Sequence, residues 1–204
     1  MGRATMIKLV AQSIPIYPMA AFQLPKRLCE DMDSIVRRFW WNPKKDASNY
    51  FSPKTWEVIC RPLKEGRLGF RSFYNINAAM LAKLAWWVLS GKEIPCIKVL
   101  LAKYKVGKNW LKAPPIKSAS WTWRSLERVK HILLNGSCKL VGDGDSILVW
   151  DDPWIPDLPS FTPNSRENLG LNQCLVVSQL MNQNRTRWDV SRLKDLMPIQ
   201  WRQF

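Results

Sequence analysis

The segment 61–90 constrains the fold most, because a two-glycine turn in it leads directly into one amphipathic helix. Gly66 and Gly69 suit a tight turn that needs backbone freedom. Beyond the turn, Ser72 or Asn75 can cap a helix. Apolar residues then recur at intervals of three and four along about four turns. They predict one buried helix face, made of Ile76, Met80, Leu81, Leu84, Trp87 and Val88.

Other helices are expected on both sides of this segment. Capping residues, proline positions and apolar spacing predict them over Met6–Ser13, Pro25–Trp41, Trp56–Cys60, Pro95–Tyr104 and Ser120–Leu134. The helix that begins at Pro25 is predicted to bury Leu28, Met32, Ile35, Val36 and Phe39. The fold class expected from these patterns is mainly α.

A small β-hairpin is expected at about 138–150. Two short strand-like runs, Cys138–Val141 and Ser146–Trp150, flank the turn signal Gly142–Asp145. Repeated prolines after residue 151 predict an irregular C-terminal tail, with weak helices only at about 174–181 and 190–196.

Charge is distributed unevenly along the 204 residues. The chain carries 31 Lys and Arg against 16 Asp and Glu, a net charge of +15. Residues 1–117 hold 21 of the basic and seven of the acidic residues, so the basic character belongs to the front half. Such a field favours a polyanionic partner, although a solvated basic surface of a globular protein is the alternative.

The segment 92–117 combines seven lysines with Tyr104 and Trp110, and Glu93 is its only acidic residue. Lysines with interleaved aromatics suit phosphate contact combined with base stacking. The same pattern arises where lysine stems cover the apolar edge of a helix. Both interpretations stay open on the sequence alone.

Motifs for catalysis, metals and cofactors are not found. The five cysteines are widely spaced and His131 is the single histidine, so no zinc site and no other metal site is predicted. Asp151 and Asp152 precede Pro153, which does not suit a metal-binding pair of a polymerase. No nucleotide-binding motif is present, and no cofactor is expected. An odd cysteine count without a secretory signal predicts an intracellular protein, nuclear or cytoplasmic, and no apolar run suggests a membrane span.

Three blocks of the sequence resemble plant non-LTR (LINE-type) retrotransposon polyproteins, in the segment just downstream of the reverse-transcriptase palm. The blocks stand in the family's order and cover about three quarters of the chain. The first consists of Ile14–Met19, Phe22, Leu24–Lys26 and Phe39–Trp41. The second consists of Arg61–Pro62, Lys64–Gly66, Leu68–Arg71, Asn75, Asn77, Ala79, Leu81–Lys83 and Trp86. The third consists of Val141–Ile147 and Trp150–Trp154.

The resemblance implies a helical, thumb-like piece of a longer polymerase, upstream of its zinc-binding domain. It divides the chain into a thumb-like segment 1–60, a basic helical connection 61–117, a helix with hairpin 118–155 and a weakly structured, Pro- and Asn-rich tail 156–204. The catalytic palm of the family would precede Met1, and its zinc-binding and RNase H domains would follow Phe204. The chain is therefore expected to catalyse nothing by itself.

The role implied by the resemblance is to grip a template–primer duplex. The partner would be RNA or an RNA–DNA duplex, contacted through its backbone, together with missing parts of the parent polyprotein. The basic residues expected to make these contacts are Lys26, Arg37, Arg38, Lys44, Lys45, Lys64, Arg67, Arg71, Lys103, Lys105 and Lys108. The alternative is an inactive retroelement remnant or a helical protein-interaction module without a nucleic-acid role.

Overall fold

The computed structural model describes residues 2–42, 50–107, 110–158, 161–163, 174–182, 184–185 and 187–196. Within these ranges the chain is mainly helical, which confirms the predicted fold class. The α-helices there are α1 (Gly2–Met6), α2 (Ile16–Ala21), α3 (Lys26–Trp41), α4 (Trp56–Cys60), α5 (Phe73–Leu89), α6 (Pro95–Tyr104), α7 (Trp121–Gly136) and α8 (Val190–Leu196). The predicted bounds of α4 and α6 agree with those observed. The helix expected over Met6–Ser13 is instead a π-helical turn, Ile7–Ala11, continuing α1.

The chain divides into two compact units, Met1–Leu134 and Asn135–Phe204. The four-segment division expected from the resemblance stays a prediction. Among the described residues, no helix combines the length and apolar character that crossing a bilayer requires.

Helix α5 is the centre of the first unit. It packs against α2, α3 and α6. Phe73, at its start, belongs to a cluster with residues of α3 and α4, whereas Leu81 and Val88 belong to a cluster with residues of α6 and α7. Gly66 and Gly69 have φ of +70° and +62°, so the turn before α5 uses the left-handed conformation that the glycines predicted.

The buried side of α3 agrees with the predicted one only in part. Of the residues predicted to be buried, Val36 is buried and Met32 is half-buried, but Leu28, Ile35 and Phe39 are exposed, with Ile35 at 68%. Cys29, which was not in the predicted set, is buried. The apolar residues of α3 cover a broad stripe, and the core uses the part of it that includes Met32, Val36 and Cys29, the last being one residue and about 100° beyond Leu28. The other side of the stripe faces outward.

The expected hairpin at 138–150 is not formed, although all of these residues are described. Leu148 instead makes an antiparallel bridge to Val176. The Val149 N–H donates to the Leu175 carbonyl, and the Val177 N–H to the Ile147 carbonyl, each at 2.9 Å. The local turn signal was real, but the pairing partner comes from later in the chain.

A close backbone approach explains the glycine at position 144. Gly144 has φ of +74°, and a Cβ there would lie 2.6 Å from the Ser178 nitrogen. The Gly144 carbonyl also accepts from the Ser178 N–H at 3.1 Å. Any larger residue would push these two segments apart.

The second unit has its own apolar core. Among the residues described in this unit, its buried members are Ile147, Val149, Trp154, Ile155, Val177, Leu180 and Leu193. The Trp154 indole donates to the Val149 carbonyl at 2.9 Å. A 3₁₀ turn, Val177–Leu180, and α8 lie where weak helices were expected. The described parts of the predicted irregular tail therefore include packed core residues.

Candidate nucleic-acid interface

A compact loop before α5 carries four exposed basic side chains. We call this loop, residues 61–71, the basic turn, and its basic members are Arg61, Lys64, Arg67 and Arg71. The Gly69 N–H donates to the Arg61 carbonyl at 3.1 Å and closes the loop. A 3₁₀ turn within it ends at Gly66, whose N–H donates to the Leu63 carbonyl at 2.9 Å. The loop therefore has a defined backbone.

The end of the basic turn is anchored in the core. Phe70 is buried, with its ring centroid 5.3 Å from that of Trp40 and 6.0 Å from that of Trp56. The Gln12 side-chain amide donates to the Arg71 carbonyl at 2.7 Å. These contacts fix the chain where the turn enters α5, so the basic side chains project from a rigid base.

Three of the predicted contact residues, Lys64, Arg67 and Arg71, lie in this turn. None of them forms an ion pair with a carboxylate among the residues that the structure describes. Their charges are therefore directed to solvent, where an anionic ligand can reach them. This is the largest grouping of the predicted contact residues in one short described segment.

The predicted contact residues of α3 differ in availability. Lys26 is exposed, and its Nζ lies 3.7 Å from Glu30 Oε1, a weak surface pair. The Arg37 Nε donates to the Tyr50 hydroxyl at 3.2 Å, and Arg37 is only half-exposed. Arg38 is exposed. Lys44 and Lys45 lie outside the described residues, as does Lys108.

Arg37 also faces a partly buried carboxyl group on its own helix. Burial raises the pKa of Asp33, and hydrogen bonds and the charge of Arg37 oppose this shift only in part. The Asp33 carboxylate accepts from the Phe73 N–H at 3.1 Å, at the first residue of α5. Arg37 thus has a structural role, which makes it a weaker candidate for nucleic-acid contact than Lys64 or Arg67.

Lys103 and Lys105 lie at the C-terminal end of α6, and both are exposed. The Lys103 Nζ lies 5.5 Å from the ring centroid of Tyr104. Lys105 adopts a left-handed conformation with φ of 47° and ends the helix. Cations at this position are favoured by the helix dipole.

The two aromatics of the lysine-rich segment are used by the protein itself. The Tyr104 ring stacks on Trp123, with centroids 4.1 Å apart and planes at 19°. Trp110 is buried and lies 5.4 Å from Trp123. Of the two interpretations of this segment, base stacking is not favoured for these rings, because Trp110 is buried and the half-buried Tyr104 has one ring face against Trp123.

A buried charge pair on α7 was not predicted. Glu127 and Lys130 form an ion pair of 2.5 Å, with side chains only 9% and 8% exposed. Lys130 also donates to the Ala113 carbonyl at 3.3 Å, and the Trp110 indole donates to Glu127 at 3.3 Å. The pair therefore attaches the chain around 110–113 to α7. The sequence feature that could have indicated this pair was the position of Lys130 on the apolar face of the helix.

Asn77 is a second structural residue that sequence reasoning did not explain. Its side-chain nitrogen donates to the carbonyls of Met19 and Phe22, both at 2.8 Å. Its side-chain oxygen accepts from the Leu24 N–H at 2.9 Å. Asn77 thus holds the connection between α2 and α3. The sequence feature that could have indicated this role is that Asn77 is a polar residue four positions before the buried Leu81, on the same side of α5.

Two plant proteins are similar to this chain over most of its length. One, from Arabidopsis thaliana, is named "Putative ribonuclease H protein" and is 30% identical over 199 residues, which cover 94% of this chain. The chain spans only 31% of the length of that protein. The other is an uncharacterized mitochondrial protein of the same plant, 28% identical over 152 residues, which are 74% of this chain and 98% of that protein. No protein-family model and no solved structure matches the chain.

Proposed function

We propose that this chain is a non-catalytic thumb and post-thumb segment of a LINE-type RNA-directed DNA polymerase. It holds RNA or an RNA–DNA duplex through contacts to the sugar–phosphate backbone. The observation that carries the proposal is the basic turn, with Lys64, Arg67 and Arg71 exposed on a rigid loop. The named ribonuclease H relative supports a nucleic-acid context, and its greater length agrees with a role for this chain as one part of a larger polypeptide.

Backbone contact follows from the residue types. Arginine can donate two parallel hydrogen bonds to one phosphate, and lysine supplies a point charge. Phosphate contacts position a protein on a duplex without reading its bases. The described candidates, in order of support, are first Lys64, Arg67 and Arg71, then Lys103 and Lys105, then Lys26 and Arg38, and last Arg37.

A salt titration tests the proposal. The affinity of the protein for a blunt RNA–DNA hybrid is measured by fluorescence anisotropy at several salt concentrations. Each neutralised phosphate contributes about 0.9 to the slope of log K against log salt. The triple variant Lys64→Gln, Arg67→Gln, Arg71→Gln should lower the slope by roughly two to three and weaken binding at every salt concentration.

A matched control distinguishes the loss of contacts by the basic turn from the loss of positive charge in general. The triple variant Lys54→Gln, Lys98→Gln, Lys117→Gln removes the same charge from exposed residues outside the predicted contact set. It should lower the slope much less. Equal losses in both variants would show that the basic turn is not the site. Undetectable binding of the wild type at about 50 mM salt would refute the proposal as a whole.

A helical protein-interaction module without a nucleic-acid role is the second candidate. It is favoured by exposed apolar side chains in the first unit, among them Leu9, Ile14, Tyr17 and Ile35. This candidate predicts self-association or dependence on a partner in size-exclusion chromatography with light scattering. A stable monomer that binds the hybrid tightly would count against it.

A further inference from the structure

Trp121 exposes more of its indole than any other tryptophan that the structure describes. Trp121 is 72% exposed, and Trp86, at 47%, is the next most exposed of the described tryptophans. The remaining described tryptophans are buried or half-buried. An exposed indole leaves a large apolar ring in water, where it is available to another flat apolar surface.

Trp121 is connected, through its sequence neighbour Ser120, to the helix end that carries two of the predicted phosphate-contacting lysines. Tyr104, at the end of α6, donates its hydroxyl to Ser120 Oγ at 2.9 Å and accepts from the Ser120 N–H at 3.0 Å. Trp121 follows Ser120 directly, while Lys103 and Lys105 flank Tyr104. The two hydrogen bonds between Tyr104 and Ser120 therefore hold the backbone that carries the two lysines next to the backbone that carries Trp121. We call this place, where the end of α6 meets the start of α7, the junction.

The backbone at this junction is well fixed. Ser120 accepts from the Arg124 N–H at 2.9 Å through its carbonyl and from the Trp123 N–H at 3.4 Å through its hydroxyl, so it caps α7. Trp123 is fully buried two residues after Trp121. Helical geometry directs these two side chains to different sides of α7, which explains why one tryptophan packs in the core and its near neighbour faces outward.

From this geometry we infer that Trp121 stacks on an unpaired base of a single-stranded nucleic-acid segment, while Lys103 and Lys105 contact its phosphates. Exposed aromatics beside cations are the common features of single-strand binding. Bases inside a duplex are already stacked on each other, so away from the duplex ends only an unpaired base can lie on the indole. The inference rests on the proposed function and adds a single-stranded segment to it. In this inference Trp121, rather than Tyr104 or Trp110, is the residue that stacks on a base.

The test compares a blunt RNA–DNA hybrid with the same hybrid carrying a single-stranded RNA overhang. Wild-type protein should bind the overhang probe more tightly. Trp121→Ala should weaken binding of that probe by between about 5-fold and about 150-fold, the range for loss of one stacked base, and should leave binding of the blunt hybrid unchanged. Trp121→Phe should retain most of the gain from the overhang. Trp86→Ala, which removes an exposed indole from α5, should retain all of it.

The possible outcomes separate this inference from the proposed function. If Trp121→Ala binds the overhang probe as wild type does, the stacking role is refuted and the duplex contact stands. If Trp121→Ala and Trp86→Ala weaken binding equally, and do so for the blunt probe as much as for the overhang probe, the stacking role is also refuted. The effect would then not depend on an unpaired base. If wild type binds neither probe, the proposed function itself fails. Thermal unfolding should be unchanged in Trp121→Ala, since the ring is largely exposed.

Discussion

Replacement of Asn77 by alanine should destabilise the first unit strongly. The substitution removes three hydrogen bonds of 2.8–2.9 Å, which join α5 to Met19, Phe22 and Leu24. Each such bond contributes about 1 kcal/mol net, so the expected loss is about 3 kcal/mol. Typical domains have only about 5–15 kcal/mol of stability, and the loss would therefore be a large share of the total.

Urea unfolding followed by far-UV circular dichroism measures this loss. With an m-value of about 2 kcal/mol/M, the midpoint should fall by roughly 1.5 M urea. Amide hydrogen exchange gives a local measurement, since the Leu24 N–H should exchange faster once its acceptor is removed. Asn77→Asp keeps that acceptor but sets a carboxylate oxygen against the carbonyls of Met19 and Phe22, and it should lose at least as much stability.

Asn75→Ala is the matched control. Asn75 lies on the same helix two residues earlier and is exposed, so its replacement should change stability by no more than about 0.5 kcal/mol. Replacing asparagine by alanine raises the helix propensity in both variants, so the comparison between them corrects for this effect. If Asn77→Ala also stays within that range and Leu24 exchange is unchanged, the hydrogen bonds of Asn77 do not stabilise the fold as argued.

Two further predictions concern the buried charge pair and a half-buried thiol. Glu127→Gln leaves the Lys130 ammonium without its carboxylate and should destabilise the protein by about 3 kcal/mol or more, while the double variant Glu127→Gln, Lys130→Met should recover most of the loss in thermal unfolding. A double variant as unstable as the single one would contradict this account. Burial raises the pKa of the Cys60 thiol from 9.0 to about 12. Between these two pH values the thiol keeps its proton in the folded protein but loses it in the unfolded chain. The contribution of Cys60 to stability should therefore be lost as pH rises from about 9 to about 12. At pH 8 a thiol reagent should modify the exposed Cys96 well before Cys60, and equal rates would contradict the burial argument.

The sequence predicted the helices well where local signals are strong. Prolines at the starts of α3 and α6 fix the backbone at the beginning of a helix, and both observed starts lie within one residue of the predicted ones. The helix predicted over Ser120–Leu134 is observed as α7, and its apolar face, including Trp123 and Leu126, is buried. Capping and periodicity are properties of neighbouring residues, so a sequence shows them directly.

Other features depended on distant parts of the chain. On α3, Leu28 and Cys29 are both apolar, and only the packing of other helices decides which of them is buried. The partner of Leu148 lies 28 positions later, and nothing in the turn at 142–145 indicates it. For the candidate site, the sequence identified the lysines of the α6 end, but it could not distinguish the packed Tyr104 from the exposed Trp121. Side-chain exposure is a tertiary property.

The sharing of α5 between two apolar clusters has a consequence for cooperativity. One helix of 17 residues contributes Phe73 to one cluster and Val88 to the other. Neither cluster can melt alone without removing packing partners from the same helix, so the two should open as one cooperative unit in native-state exchange. A ligand that binds the basic turn, which ends two residues before Phe73, would then slow the opening of amides near Val88 at the far end of α5, with no change in the structure between them.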